Sequence, residues 1–160
     1  MLDSLETGLT WYAVIGSAIM AGLFFSFSVF MMQALDALGP ASGISAMQSI
    51  NRAILNPLFM LAFMGTTIVS VVIGILAVRS LDERSAKYAL AGAVVFVVGN
   101  FLVTAIVNVP KNNAIDALDP TLSSSAAVWK DYVSSWTAWN HVRTVSCLAA
   151  LVLFVLALRD

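Results

Sequence analysis

The sequence predicts an all-α integral membrane protein, a four-helix bundle with a short extra helix in the first long loop. Three observations carry this expectation. Hydrophobic residues make up 60% of the 160 and charged residues only 11%, against about 25% charged in an ordinary soluble domain, and mean hydropathy is +0.92. Stretches without Asp, Glu, Lys or Arg run from Leu9 to Gln33, Ala53 to Val78 and Tyr88 to Pro110, each longer than the roughly 20 residues that span a bilayer as a helix. Inside those stretches the polar residues recur at steps of three and four, the helical period.

The first span is expected over about residues 9–33. Asp3 and Glu6 stand where a signal peptide would carry Lys or Arg, so the helix is read as retained. Ala18, Gly22 and Ser26 have the spacing that lets membrane helices approach closely and are expected to face a neighbour. Leu38, Gly39 and Pro40 then break the chain. Ile44, Met47, Ile50 and Ile54 sit at helical spacing, which predicts a short surface helix over Ser45 to Ile54. Asn56-Pro57 reads as an N-cap followed by proline at the first helical position, opening a second span over about 55–78.

In that span Asn56, Phe59, Phe63, Thr67 and Ser70 form one stripe. The short connection Arg79 to Lys87 carries Arg79, Arg84 and Lys87 beside Asp82 and Glu83. A third span follows over about 88–109, with Asn100, Thr104 and Asn108 four residues apart. Pro110 is expected to end it, and the asparagines after it to cap the end. Asp119-Pro120 predicts a further turn.

The last charge-free run, Thr144 to Leu158, is too short to cross alone. It must borrow residues on its N-terminal side, giving a span over about 136–158 that includes Arg143, His141, Asn140 and Trp139. On this helix Trp129, Tyr132, Trp136, Trp139, Asn140 and Arg143 follow steps of three and four, whereas His141 falls beside Thr137, Thr144 and Leu148. The stripes of the four helices can all face inward together only in a bundle, and residues 1–160 read as a single membrane domain without internal repeats.

Charge limits the function classes. The net charge of -1 comes without a basic patch, so nucleic acid is not an expected partner. The single cysteine, Cys147, excludes an internal disulfide and reads as apolar filler, as do Met31, Met32, Met60 and Met64. No Asp or Glu lies within any predicted span. This excludes a di-iron or di-manganese carboxylate bundle and argues against a transporter run on acidic relays. A haem held by His141 alone remains formally open. The basic Arg79 to Lys87 connection and Arg159 predict cytoplasmic termini in a bacterial inner (plasma) membrane.

Arg143 is the residue that asks for a function, because a charge at membrane depth is rare and usually marks a site. The competing reading is a side chain that snorkels to the interface. For Trp129, Tyr132, Trp136 and Trp139 the competitor is the aromatic belt of the headgroup zone. Asn100 is expected to hydrogen-bond a neighbouring helix, and Asn108, beside the proline break, to belong to the site.

Three runs carry a resemblance: Gln48-Ser49-Ile50-Asn51-Arg52 with Asn56-Pro57-Leu58-Phe59; Asn108-Val109-Pro110-Lys111-Asn112-Asn113; and Trp129, Tyr132 and the run from Trp136 to Thr144. In order and spacing they resemble the anthrone-oxygenase-like family of small integral membrane proteins, over nearly the whole chain. The resemblance implies a four-helix membrane protein and, for fungal members, oxygenation of an anthrone to an anthraquinone without metal or flavin, hence no cofactor. Bacterial members mostly have no assigned substrate.

An anthrone is a flat tricyclic ketone whose acidic methylene gives an electron-rich anthrolate that reacts with oxygen. Such chemistry needs a surface for rings, a base, and donors for an oxyanion. Trp136, Trp139, Tyr132 and Phe63 are the expected ring surface. Arg143 with Asn140 and Asn108 are the expected enolate donors, aided by Asn51 or Arg52, and the connections that carry Asn51 and Asn112 are expected to roof the substrate. Histidine is the residue type suited to general-base work near neutrality, so His141 is the expected base, although it lies off the stripe. Arg143, Asn140 and Asn108 are expected to converge on one pocket near the outer boundary.

Two function classes therefore stand. One is an oxygenase acting on a hydrophobic small molecule that comes from the lipid phase. The other is a non-catalytic membrane protein binding a lipid, a quinone or a partner protein. Membrane lipids are expected neighbours in both, and neither forbids a homo-oligomer.

Overall fold

The computed structural model describes residues 4–159. Asp3, one of the two N-terminal acids noted above, lies outside them. Five helices follow in order: α1 Ser4–Ala37, α2 Pro40–Ile54, α3 Pro57–Ser80, α4 Arg84–Asp116 and α5 Ser125–Arg159. All except α2 are long and apolar enough to cross a membrane, and the described residues contain no strand. The protein is an all-α integral membrane protein.

The bundle is a ring in which α1 packs on α5, α5 on α4, α4 on α3 and α3 on α1. One core lies along the spans, with Phe24, Phe63, Phe96, Cys147 and Phe154 in it. A second forms at the end where α2 lies, where Phe27, Met32, Ile44, Met47 and Ile115 surround Trp129, Tyr132 and Trp136.

Local chemistry explains the joints. Gly39 has φ 82, a conformation that costs a side chain energy, and Pro40 starts α2 immediately after it. Asn56 caps α3 as expected: its Oδ1 accepts from the Phe59 N–H at 3.1 Å, with Pro57 at the first helical position. Asp119 makes the anticipated turn, accepting from the Thr121 hydroxyl and N–H, and these bonds hold its carboxyl below the usual range.

Two expectations about the helices change. Pro110 does not end the third span, and α4 runs on to Asp116. The reason lies just before the proline, where the chain winds as a wider π-helix over Val97–Leu102 and again over Thr104–Asn108. A new α-helical segment starts at Val109, so Pro110 falls in its first turn, where a missing N–H matters least. The small-residue stripe of α1 is also different. Ala18 and Gly22 face outward, while Ala13, Gly16, Ser17 and Ala21 are buried. At Gly16 the helices come so close that an added Cβ would strike the Thr66 side chain of α3.

π-helical turns also occur at Phe27–Met31 of α1 and Leu61–Gly65 of α3. In α1, α3 and α4 they lie at or beyond mid-helix towards the end where α2 sits. Such turns often occur at functional sites.

Candidate functional site

A cavity of about 170 Å³ opens between the upper parts of α1, α4 and α5, under α2 and beside the first turn of α3. Its wall is aromatic and apolar: Phe24 and Phe27 from α1, Trp136 from α5 and Phe59 from α3. Polar groups reach it from Arg143 and Thr104 on one side and from Asn51, Asn112 and Asp116 on the other.

Arg143 is only 4% exposed. Its Nη2 donates to Asn140 Oδ1 at 2.6 Å and its Nη1 to Thr104 Oγ1 at 3.3 Å. The guanidinium carbon sits 4.2 Å from the Phe24 ring centroid and 5.0 Å from that of Trp136, both within cation–π range. Among the described residues no carboxylate bonds to it, and its Nε has no partner. A cation out of water costs several kcal/mol unless it is paired. Here neutral oxygens and ring faces do that work incompletely, which leaves a positive potential beside an apolar space.

Asn140 points away from the cavity. Its Nδ2 donates to the Phe24 carbonyl at 2.7 Å and to Ser28 Oγ at 2.8 Å, so it ties the Arg143 anchor to α1. Asn108 is buried and donates to the Trp136 carbonyl at 3.4 Å, which binds α4 to α5 behind the cavity wall.

The continuation of α4 past Pro110 brings the next polar residues into place. Asn112 Oδ1 accepts from Tyr132 at 2.9 Å and from Trp136 Nε1 at 2.8 Å, fixing the plane of the indole that Arg143 faces. Tyr132 itself stacks on Trp129, and Trp129 Nε1 donates to Asp36 at 2.9 Å. The roof is latched to α4 through α2. Asn51 Nδ2 donates to Asp116 Oδ1, and Gln48 Nε2 to the carbonyls of Ile115 and Leu118, all at 3.0 Å.

Of the residues singled out in the sequence, Arg143, Trp136, Asn51 and Asn112 line the cavity, while Asn140, Asn108 and Tyr132 stand behind its wall. Four others are not brought there. His141 is exposed on the outer face of α5, because its side chain falls about a hundred degrees of helical turn from Asn140. Trp139, 42% exposed, also faces outward. Arg52 is exposed and donates to Ser49 on its own helix. Phe63 packs with Phe59 and Phe101 in the core along the spans.

Asp116, Thr104, Phe24, Phe27 and Phe59 were not among the expected site residues. Asp116 had a signal: Asn100, Thr104 and Asn108 recur every four residues, and the same step continues to Asn112 and Asp116 once the helix is allowed past Pro110. Phe59 lay on the Asn56, Phe59, Phe63 stripe, whereas Phe24 and Phe27 had no signal, since apolar residues cover every face of a spanning helix. Asn100, expected to bond a neighbouring helix, is fully buried with neither amide atom partnered among the described residues.

A buried cation facing an apolar, aromatic-walled space suits a flat hydrophobic molecule that carries or develops a negative charge. A family model described as anthrone oxygenase matches residues 59–153. The match takes in α3 from Phe59 onward, α4 and all of α5 that touches the cavity, but not α2 or the Gln48 to Arg52 run. No curated protein and no solved structure matches the chain. With more than half its length matched, and with Arg143, Asn112 and Trp136 all inside that stretch, the chain belongs to the anthrone oxygenase family.

Proposed function

We propose that the protein is a membrane-embedded, cofactor-independent oxygenase that converts a flat, enolisable aromatic ketone of the anthrone type into a quinone. The single observation that carries this reading is Arg143, a buried cation held by neutral groups over two aromatic rings and turned to an apolar cavity. An enolate would supply the missing anion.

Ring stacking against Phe24, Phe27 and Trp136 holds the ketone with its oxygen at the guanidinium. The Asp116 carboxylate, steadied by Asn51, accepts the methylene proton. Stabilising the oxyanion lowers the acidity threshold of the substrate, and the electron-rich anthrolate then passes an electron to dioxygen. Recombination forms a carbon–oxygen bond and a peroxide anion, which takes the proton back from Asp116 to become a hydroperoxide. Asp116 then removes the second methylene proton as the O–O bond breaks, one oxygen stays as the new carbonyl, and the other departs as hydroxide that collects that proton and leaves as water. One ketone and one O2 thus give one quinone and one water.

The basic residues Arg79, at the end of α3, and Arg84 and Lys87, in the first turn of α4, support cytoplasmic termini, with the cavity at the opposite membrane face. The reading is tested in nanodiscs by supplying anthrone under ¹⁸O2. It requires quinone carrying one labelled oxygen, faster than the spontaneous reaction. A rate equal to the protein-free control removes the enzyme reading and leaves binding of a lipid or quinone.

A further inference from the structure

On the lipid side of α1 and α3 lies an apolar groove of about 590 Å³, lined among others by Ile19 and Met20 of α1 and by Leu61 and Ala62 of α3. It shares Leu23, Ile54 and Phe59 with the cavity that holds Arg143. Those three side chains are therefore the partition between an acyl-facing surface and the site.

The α3 half of that partition is weakly held. Ile54 ends α2, Leu55 breaks the helix with φ -78 and ψ 49, and Pro57–Met60 is a single turn before the π-helical Leu61–Gly65. Leu55 is 70% and Leu58 80% exposed, so neither packs this turn onto the bundle. The anchor comes one step later, where the Tyr12 hydroxyl of α1 donates to the Leu61 carbonyl at 3.0 Å. On the water side, by contrast, the roof is latched by the bonds of Gln48 and Asn51 to α4.

We propose that the groove is a lateral portal: a flat apolar ring ketone dissolved in the bilayer passes between Leu23 on α1 and Ile54 and Phe59 at the α2–α3 joint to reach Arg143. Phe59 is the gate, since it lines both spaces and its ring stacks on Phe63 towards the core, in a turn whose Leu58 and preceding Leu55 are exposed. The occupant is the substrate class of the proposed function and the portal rests on that reading, but its test does not need turnover. Passage from lipid also explains why the groove is mainly apolar, with Tyr12, Asn56 and Thr66 as its polar lining, while the charged groups of the cavity, Arg143 and Asp116, sit beyond the partition.

The probe is benzophenone, a diaryl ketone that partitions into lipid and on irradiation inserts into nearby C–H bonds. Met20 lines the groove and Met47 the cavity, so adducts mapped by mass spectrometry on the protein in nanodiscs report both. Adducts on both methionines are expected. Ala62→Phe and, separately, Ile19→Trp fill the groove from its two sides and should cut the Met47 adduct at least fivefold, while Val152→Phe on another lipid-facing surface leaves it unchanged. No Met47 adduct in the unaltered protein, or an undiminished one in both plugged variants, overturns the portal. Turnover measured on the same samples separates the two ideas: quinone formation without portal labelling leaves the oxygenase standing with another route, and labelling without turnover leaves the portal standing alone.

Discussion

Arg143 and Asn140 sit one turn apart on α5 and are joined by a 2.6 Å hydrogen bond from Nη2 to Oδ1, while the same asparagine holds the Phe24 carbonyl of α1 with its amide nitrogen. The amide thus sets where the guanidinium stands without neutralising it. In the proposed reaction Asn140 is a positioning residue.

That distinction predicts the behaviour of Asn140→Asp. The carboxylate would pair with Arg143 and supply the counterion that the enolate is proposed to be. We expect the folded protein to persist, with a thermal midpoint lowered by the lost bond to Phe24, worth about 1 kcal/mol. Turnover should fall at least tenfold. Asn140→Asp with full activity would mean that the charge of Arg143 is not used.

Removing the cation separates stability from catalysis. Arg143→Met removes the desolvation cost of a buried charge without an ionic partner, several kcal/mol, but leaves Asn140 Oδ1 and Thr104 Oγ1 without their donor, about 1 to 3 kcal/mol each. Denaturation in detergent should therefore show a net stability change much smaller than the effect on rate. The oxygenation rate should fall about 100- to 1000-fold, the usual effect of deleting an oxyanion donor.

The base is distinguished by a pair of variants. Asp116→Asn keeps an acceptor for Asn51 but removes the proton acceptor, and should slow turnover about 100-fold or more. His141→Ala, on the outer face of α5, should leave the rate within twofold. The reverse pattern would return the base to His141.

How much of this was legible beforehand follows from what a membrane hides. The spans, the α2 helix, the Asn56 cap and the inward stripe of Trp129, Tyr132, Trp136, Asn140 and Arg143 all rest on polar or aromatic marks, and such marks stand out in apolar sequence. The face that α1 presents to its neighbours did not stand out, because Ala18 and Gly22 look the same as Ala13 and Gly16 when both lipid and core are apolar. Pro110 misled for another reason: the π-helical turns that accommodate it leave no sequence signature. Reading it as a stop hid Asp116, the carboxylate nearest the site.

Asn100 offers a test of the packing itself. Both of its amide atoms are buried without a partner among the described residues, an arrangement that costs about 1 to 3 kcal/mol. Asn100→Leu should therefore raise the unfolding midpoint. A lower midpoint would show that the amide is hydrogen-bonded in the membrane.

The α1–α3 contact gives a second. Gly16→Ala drives a Cβ into the Thr66 side chain and should destabilise by about 1 to 3 kcal/mol. Adding Thr66→Ala should restore most of that, and a double-mutant cycle with no coupling would contradict the close approach.

The most direct measurement is an anaerobic titration of anthrone bound to the protein in nanodiscs, following anthrolate absorbance against pH. Without oxygen the enolate accumulates and reaction cannot obscure it. Stabilisation by Arg143 of about 3 to 4 kcal/mol corresponds to an enolisation pKa lowered by about 2 to 3 units relative to protein-free lipid, and lost in Arg143→Met. A bound pKa equal to that in lipid, or one unchanged by Arg143→Met, would contradict the role assigned to this cation.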